Sequence, residues 1–393
     1  MADHISRRAA LALLLSASAA LAVAPADALA AYAPEDLEKL TPEQRERLAA
    51  YQVARTAHGK QAAAYWAAVE GRRALRRKKT AAARALAPED YVQEHPPVYA
   101  GPSAPTDVLA VLRKPPKEPP KPIPVVPDFL RGAADKYGFA PMVVSEEGFK
   151  TRYAAEALRL KFTKEQIVRV YAFETGGYGV YDMQAGYNPL TKKVNAISTA
   201  LGYAQLLAAN SVEVLGKHGP AFAARLDAMG ALTAEASRSQ HLRRKASVVR
   251  AMARDARGVR GGWPGHVRYG TTPKGLGMHA MNLDADVGPW MQIQKLDNTR
   301  EYGVRRGLNA MSGAELEMMN LAGPARGFEM MTPLGRAAST ANFFDRGGYE
   351  RNPVVHNRTG AELMAKMNEI MDRNSAKDGA RQFAAIFDRL IES

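Results

Sequence analysis

The chain has 393 residues, a formal net charge of +14 from 54 Lys and Arg against 40 Asp and Glu, and no cysteine. Disulfides and thiolate metal sites are therefore excluded, and stability must come from a buried core. The positive surplus favours a polyanionic partner such as cell wall, acidic headgroups or nucleic acid.

In chain order, Arg7 and Arg8 precede an apolar run over 9–24, and Ala28-Leu29-Ala30 is a small-x-small cleavage pattern. This is the layout of a secretory signal peptide, and the run is short for a membrane span. The expectation is a leader over 1–30, cleavage near Ala30 and a periplasmic protein, which argues against nucleic acid as the partner. Removing the leader leaves the charge unchanged, because Arg7 and Arg8 offset Asp3 and Asp27.

Residues 31–95 read as an N-terminal helical region. Thr41-Pro42-Glu43-Gln44 places a capping hydroxyl, a first-position proline and a capping-box glutamine. Helix is predicted from there to about Arg84, weakened at Gly59 and Gly71. Its apolar stripe is broken (Leu48, Tyr51, Val53, Ala62, Tyr65, Trp66, Val69), which suits a pair of helices docking on an envelope protein partner. The cluster Arg72, Arg73, Arg76, Arg77, Lys78 and Lys79 reads as a solvated face. Residues 96–127 hold nearly half of the 24 prolines and predict an extended spacer. Residues 128–393 remain for a full core, as one large domain or a domain with an insertion.

Helical signals dominate this last part. Ser145-Glu146-Glu147 opens a predicted helix to about Leu160, and Thr163-Lys-Glu-Gln166 is a capping box. Ile167, Val168, Val170, Tyr171 and Phe173 surround the second helix, so it should be central and buried. It should end at Glu174, with Gly176 or Gly177 as the left-handed cap. A carboxyl there faces the carbonyl end of the helix, and apolar neighbours withhold solvation. Both disfavour ionisation and raise the pKa, as a general acid requires. The competing reading is a helix-end glutamate bonded to its Gly-Gly turn.

Residues 178–195 are turn-rich and aromatic, and predict an irregular loop beside Glu174. Ser198 to Leu206 predicts a capped helix of small residues, and Glu317 to Pro324 ends another helix in a Gly-Pro stop. Asp182 is a second carboxylate close in sequence to Glu174. The stretch 212–310 is strongly basic, with loop-like Trp263 and Trp290. Asn282-Leu-Asp284-Ala-Asp286 lacks the Gly and terminal Glu of a calcium loop, and the eight histidines have no ligand spacing. No metal or cofactor is expected. Phe343 to Tyr349 predicts a turn, Thr359 caps a helix to Met371, and Phe383 to Leu390 predicts a last core helix.

Three of these segments, in order, resemble the soluble lytic transglycosylases, over roughly 140–370. Glu174-Thr175 looks like the family's catalytic Glu-Ser. Ser198 through Gly202-Tyr203-Ala204-Gln205-Leu206 is similar to its Ser-x-x-Gly-x-x-Gly-Leu-Met-Gln segment, and Asn320-Leu-Ala-Gly323-Pro to its Ala-Tyr-Asn-Ala-Gly segment. Departures are Thr175 for Ser, Ala204 for Met, Met319 for the family's tyrosine near the acid, and longer intervals. The last implies a basic insertion over about 212–310. The resemblance implies a mostly α, goose-lysozyme-like domain preceded by N-terminal helices and a Pro-rich linker.

It further implies a peptidoglycan lytic transglycosylase acting on glycan strands without cofactor. Glu174 would serve as single acid and base, with Thr175, Ser198, Gly202, Tyr203, Gln205 and Asn320 holding the sugar or orienting the acid. Two alternatives follow from the departures. One is an envelope scaffold that binds glycan without cleaving it. The other is a hydrolytic muramidase, with Asp182 as second carboxylate.

Overall fold

The computed structural model describes Leu29, residues 32–112 and residues 122–393. The leader expected over 1–30, Leu29 apart, lies outside the described residues, as does the middle of the expected spacer. The chain forms two compact units, one from Met1–Ala85 with Glu94–Pro120 and the other from Leu86–Gln93 with Lys121–Ser393. The described residues are mostly helical, and their few β contacts are isolated bridges.

In the first unit, the expected pair of helices is one continuous helix, α1, over Pro42–Ala81. Its start is the capping box read from the sequence, with Thr41 and Gln44 satisfying each other's backbone N–H. It runs straight through Gly59 and Gly71, both exposed, so the helix ladder itself carries those positions. A small core of Leu29, Leu40, Leu48, Ala49, Val108 and Leu112 forms beside its first turns. Val108 comes from a short helix over Thr106–Val111, inside the stretch expected to be extended. Burial of Val108 and the Arg47–Asp107 pair at 2.6 Å hold that turn in place.

The second unit is built on α2 (Val126–Tyr137), α3 (Glu146–Arg159), α4 (Lys164–Thr175), α5 (Ala208–Leu232), α6 (Ala236–Arg257), α7 (Pro273–His279), α8 (Val287–Val304), α9 (Gly313–Ala322), α10 (Gly360–Ser375) and α11 (Asp378–Glu392). Ser145, Thr163, Ser312 and Thr359 cap α3, α4, α9 and α10 through their hydroxyls. Phe343 to Tyr349, expected as a turn, leads into a short helix over Arg346–Arg351. The segment 86–93, expected with the N-terminal helices, belongs here: Asn342, fully buried, donates to Val92 O at 2.8 Å and accepts from Val92 N at 2.9 Å.

The stretch 212–310, expected as an insertion, lies within this unit and gives buried residues to both of its apolar clusters. The helices α5 and α6 lie against each other where Gly219 faces Ala253, and a Cβ there would come within 2.7 Å of the alanine methyl. One apolar cluster joins α2, α5, α6 and α7, and a second joins α3, α4, α9 and α11. Helix α8 belongs to both, giving Val287, Trp290 and Met291 to the first and Ile293 and Leu296 to the second. Most lysines and arginines of the stretch stay exposed, and Lys245 is the buried exception. Lys245 is buried between Asp284 and Asp286, and the Arg225 guanidinium lies 3.9 Å over the ring of Trp290, itself buried. Trp263 alone of these two tryptophans is exposed.

The segment Ser198 to Leu206, expected as a helix, is a tight turn instead. Leu201 bridges both Gln184 and Leu206, while Gly202 and Gln205 take left-handed dihedrals, φ 82° and 42°. Two such residues three apart cannot propagate a right-handed helix. The reason is tertiary: Gly202 lies flat against the Gln292 amide of α8, and any Cβ would strike it. Gln292 Oε1 also accepts from Ala204 N at 3.1 Å.

Candidate active site

Helices α4 and α9 assemble the site. Glu165, in the first turn of α4, accepts from Gly313 N with both carboxylate oxygens, at 3.1 and 2.9 Å. Gly313 permits the approach, since a Cβ there would lie 3.0 Å from that of Arg169. The two helices thus start together, and they also end together. Asn320, in the last turn of α9, donates from Nδ2 to Glu174 Oε1 at 2.8 Å.

Glu174 stands one residue from the end of α4, and Gly176 (φ 69°) and Gly177 (φ 78°) turn the chain away as expected. The turn is pinned from below: Ala380 N donates to Gly177 O, and a side chain at Gly177 would collide with the Asn374 carbonyl. Glu174 itself is half-buried. Burial pushes its carboxyl above the ordinary carboxylate value, opposed by the Lys295 ammonium and by hydrogen bonds from Glu317 and Asn320.

A second carboxyl is present that the sequence did not single out. Glu317, one turn before Asn320, is completely buried and accepts from the same Nδ2 at 3.2 and 3.1 Å. Burial first, and then the Glu174 charge, drive its carboxyl well above the ordinary value against the pull of Lys295. Lys295 on α8 is itself depressed by burial, opposed by the charges of Glu317, Glu174 and Glu213. Tyr153 on α3 completes the group, its phenol raised by burial and by the charges of Glu174 and Glu317. Glu317 was legible as one helical turn from Asn320. Lys295 and Tyr153 had no local signal.

The other expected residues serve elsewhere. Thr175 is buried and its hydroxyl donates back to Tyr171 O at 2.6 Å. Tyr203 is a core residue packed edge-on against Tyr171 and Phe149, with its hydroxyl on Glu146. The Gln205 amide donates to Met183 O and Gly202 O, at 3.0 and 2.7 Å. Ser198 Oγ accepts from Ala200 N, closing its own turn. Gly202 supports the turn rather than Glu174. Asp182 is exposed, and its charge acts on Glu146 and Tyr181 rather than on Glu174. Met319, at the place of the family's tyrosine, is fully buried in the second apolar cluster.

The loop containing these residues is anchored to α3. Glu146 accepts from Tyr181 N at 3.0 Å and from the Tyr203 hydroxyl, so one carboxyl ties both limbs of the loop to the start of α3. Tyr181 stacks on Phe149 at 4.5 Å between ring centres. Between Met183 and Val212 the loop carries no acidic residue, while Lys192 and Lys193 are exposed. Chemically, the arrangement offers one reachable carboxyl of raised pKa, a buried carboxyl behind it and a cation within their field. No protein-family model, curated protein or solved structure matches this chain.

Proposed function

We propose that this protein is an exported peptidoglycan lytic transglycosylase with a lysozyme-like catalytic domain. The observation that carries the reading is the hydrogen bond from Asn320 to Glu174, which spans 146 positions and joins two motifs that the sequence resemblance pairs. Glu174 is the acid: it donates its proton to the glycosidic oxygen between N-acetylmuramic acid and N-acetylglucosamine. The resulting carboxylate takes the proton of the muramoyl C6 hydroxyl, whose oxygen closes a 1,6-anhydro ring on C1. The carboxyl ends as it began, and neither water nor an enzymic nucleophile is consumed.

Asn320 holds the Glu174 carboxyl in one orientation, and half-burial supports the raised pKa that a proton donor needs near neutrality. Glu317 has no exposed surface with which to reach an anomeric carbon, and the exposed Asp182 bears electrostatically on Glu146 and Tyr181. Both features favour a single working carboxylate over the two-carboxylate hydrolytic scheme. The surplus of +14 suits an anionic wall polymer.

The test is digestion of purified sacculi with product analysis. Anhydro-muramic ends are the expected product. Reducing muramic ends would replace this reading with a hydrolase, and binding without soluble products with a scaffold. Glu174→Gln should lower turnover by about a hundredfold or more while sacculus binding persists.

A further inference from the structure

The single Asn320 amide group serves three oxygens of two carboxyls: one of Glu174 and both of Glu317. For Glu317 this is poor support. Buried carboxylates that stay ionised ordinarily accept two or three well-placed N–H bonds, whereas Glu317 shares a single amide with its neighbour. A protonated Glu317 instead has an acceptor beside it, because its carboxyl and that of Glu174 meet the same Asn320 Nδ2, at 3.1 and 2.8 Å.

The charge inventory points the same way. The groups acting on the pair are Lys295 from α8, Tyr153 from α3 and Asn320 from α9 itself, with Glu213 from α5 acting on Lys295. Tyr153 is neutral, so one ammonium faces two carboxyls and compensates one negative charge. The second carboxyl can be accommodated only as the acid.

We propose that Glu317 and Glu174 hold one proton between them beneath the Asn320 amide and act as a single acid–base unit, with Glu317 as the positioning residue that keeps the proton on the pair. Like charges this close cannot both ionise readily, so the last proton is retained to higher pH than either carboxyl would hold alone. Glu174 is the member with exposed surface, and through it the proton leaves for the bridging oxygen and returns from the C6 hydroxyl. The proton balance of the pair is unchanged over a cycle. This role rests on the reading of Glu174 as the acid, but the pairing can be tested without it.

Two measurements decide the matter. The alkaline limb of kcat/KM for glycan cleavage should move to lower pH by about one unit or more in Glu317→Gln, because a neutral amide removes the repulsion and donates to the Glu174 carboxylate. A purely structural Glu317 would leave that limb in place. In parallel, NMR titration of protein carrying carbon-13 at glutamate Cδ should show two linked steps for the pair in the wild type. Those should become single, lower steps in Glu317→Gln and in Glu174→Gln. If each carboxyl titrates alike whether or not the other is replaced, the shared proton is refuted. If the linked steps appear but no sacculus is cleaved, the pairing stands and the enzymatic reading falls.

Discussion

Lys245 illustrates how far a residue's meaning depends on its surroundings. In the sequence it belongs to a basic run on α6, yet its ammonium is buried against Asp284 and Asp286 at 2.8 and 2.5 Å. Asp284 also accepts from Asp286 N, Val287 N and Met142 N, so this carboxylate stitches the start of α8 to the segment before α3. Burial acts to raise the Asp286 carboxyl, but Lys245 and Arg238 overcome it and hold it below the usual range. Removing the lysine would strand buried negative charge. Lys245→Met should therefore cost about 3–5 kcal/mol, less whatever Arg238 recovers at Asp286, read as a lower urea midpoint. An unchanged midpoint would contradict this account.

At the scale of elements, the informative object is the turn from Ser198 to Leu206. It has the small residues of a helix and a plausible hydroxyl cap, but α8 presents the Gln292 amide where a helical side chain would need room. His279 locks the same turn from the other side. Its Nε2 faces Thr199 O at 2.6 Å, while Nδ1 faces Ser211 Oγ at 2.8 Å, so the end of α7 joins the turn to α5. Complete burial pushes this imidazole down to about 4 from its ordinary value of 6.5. Below pH 6.5 the unfolded chain takes up a proton that the folded one refuses, so stability is full above that pH and is lost as pH falls through the folded value. The loss should approach about 3 kcal/mol. Chemical denaturation between pH 7 and pH 4 should show this slope in the wild type and a flatter one in His279→Gln, whose amide can still donate to Thr199 and accept from Ser211. Equal slopes would remove His279 from the acid sensitivity.

For the whole molecule, composition was a good guide to substance and a poor one to boundaries. The absence of cysteine is met by two apolar clusters joined through α8, and the chain is mostly helical as the periodicities imply. The domain limits drawn from proline content moved, because residues 86–93 return to the second unit. Asn342 holds them by bonding both backbone groups of Val92, and Tyr91 packs near Phe343 at 6.0 Å. Asn342→Ala would leave those groups unpaired in a buried place, at about 1–3 kcal/mol for each group that water cannot reach. A lowered thermal midpoint in the intact protein is the expected result. A midpoint equal to the wild type would mean that the segment is not held there.

Local signals were enough to place the carboxyl at the end of α4, its glycine cap and the helix carrying Asn320. Each depends on a capping hydroxyl, a left-handed glycine or an apolar period, which act within a few residues. Nothing local could announce Lys295, Tyr153 or the burial of Glu317, nor reveal that Tyr203 and Gln205 serve the core and a turn. Those roles arise when α3, α8 and α9 close around α4. Burial and charge at a point are sums over neighbours distant in the chain, and only the packed structure performs that sum.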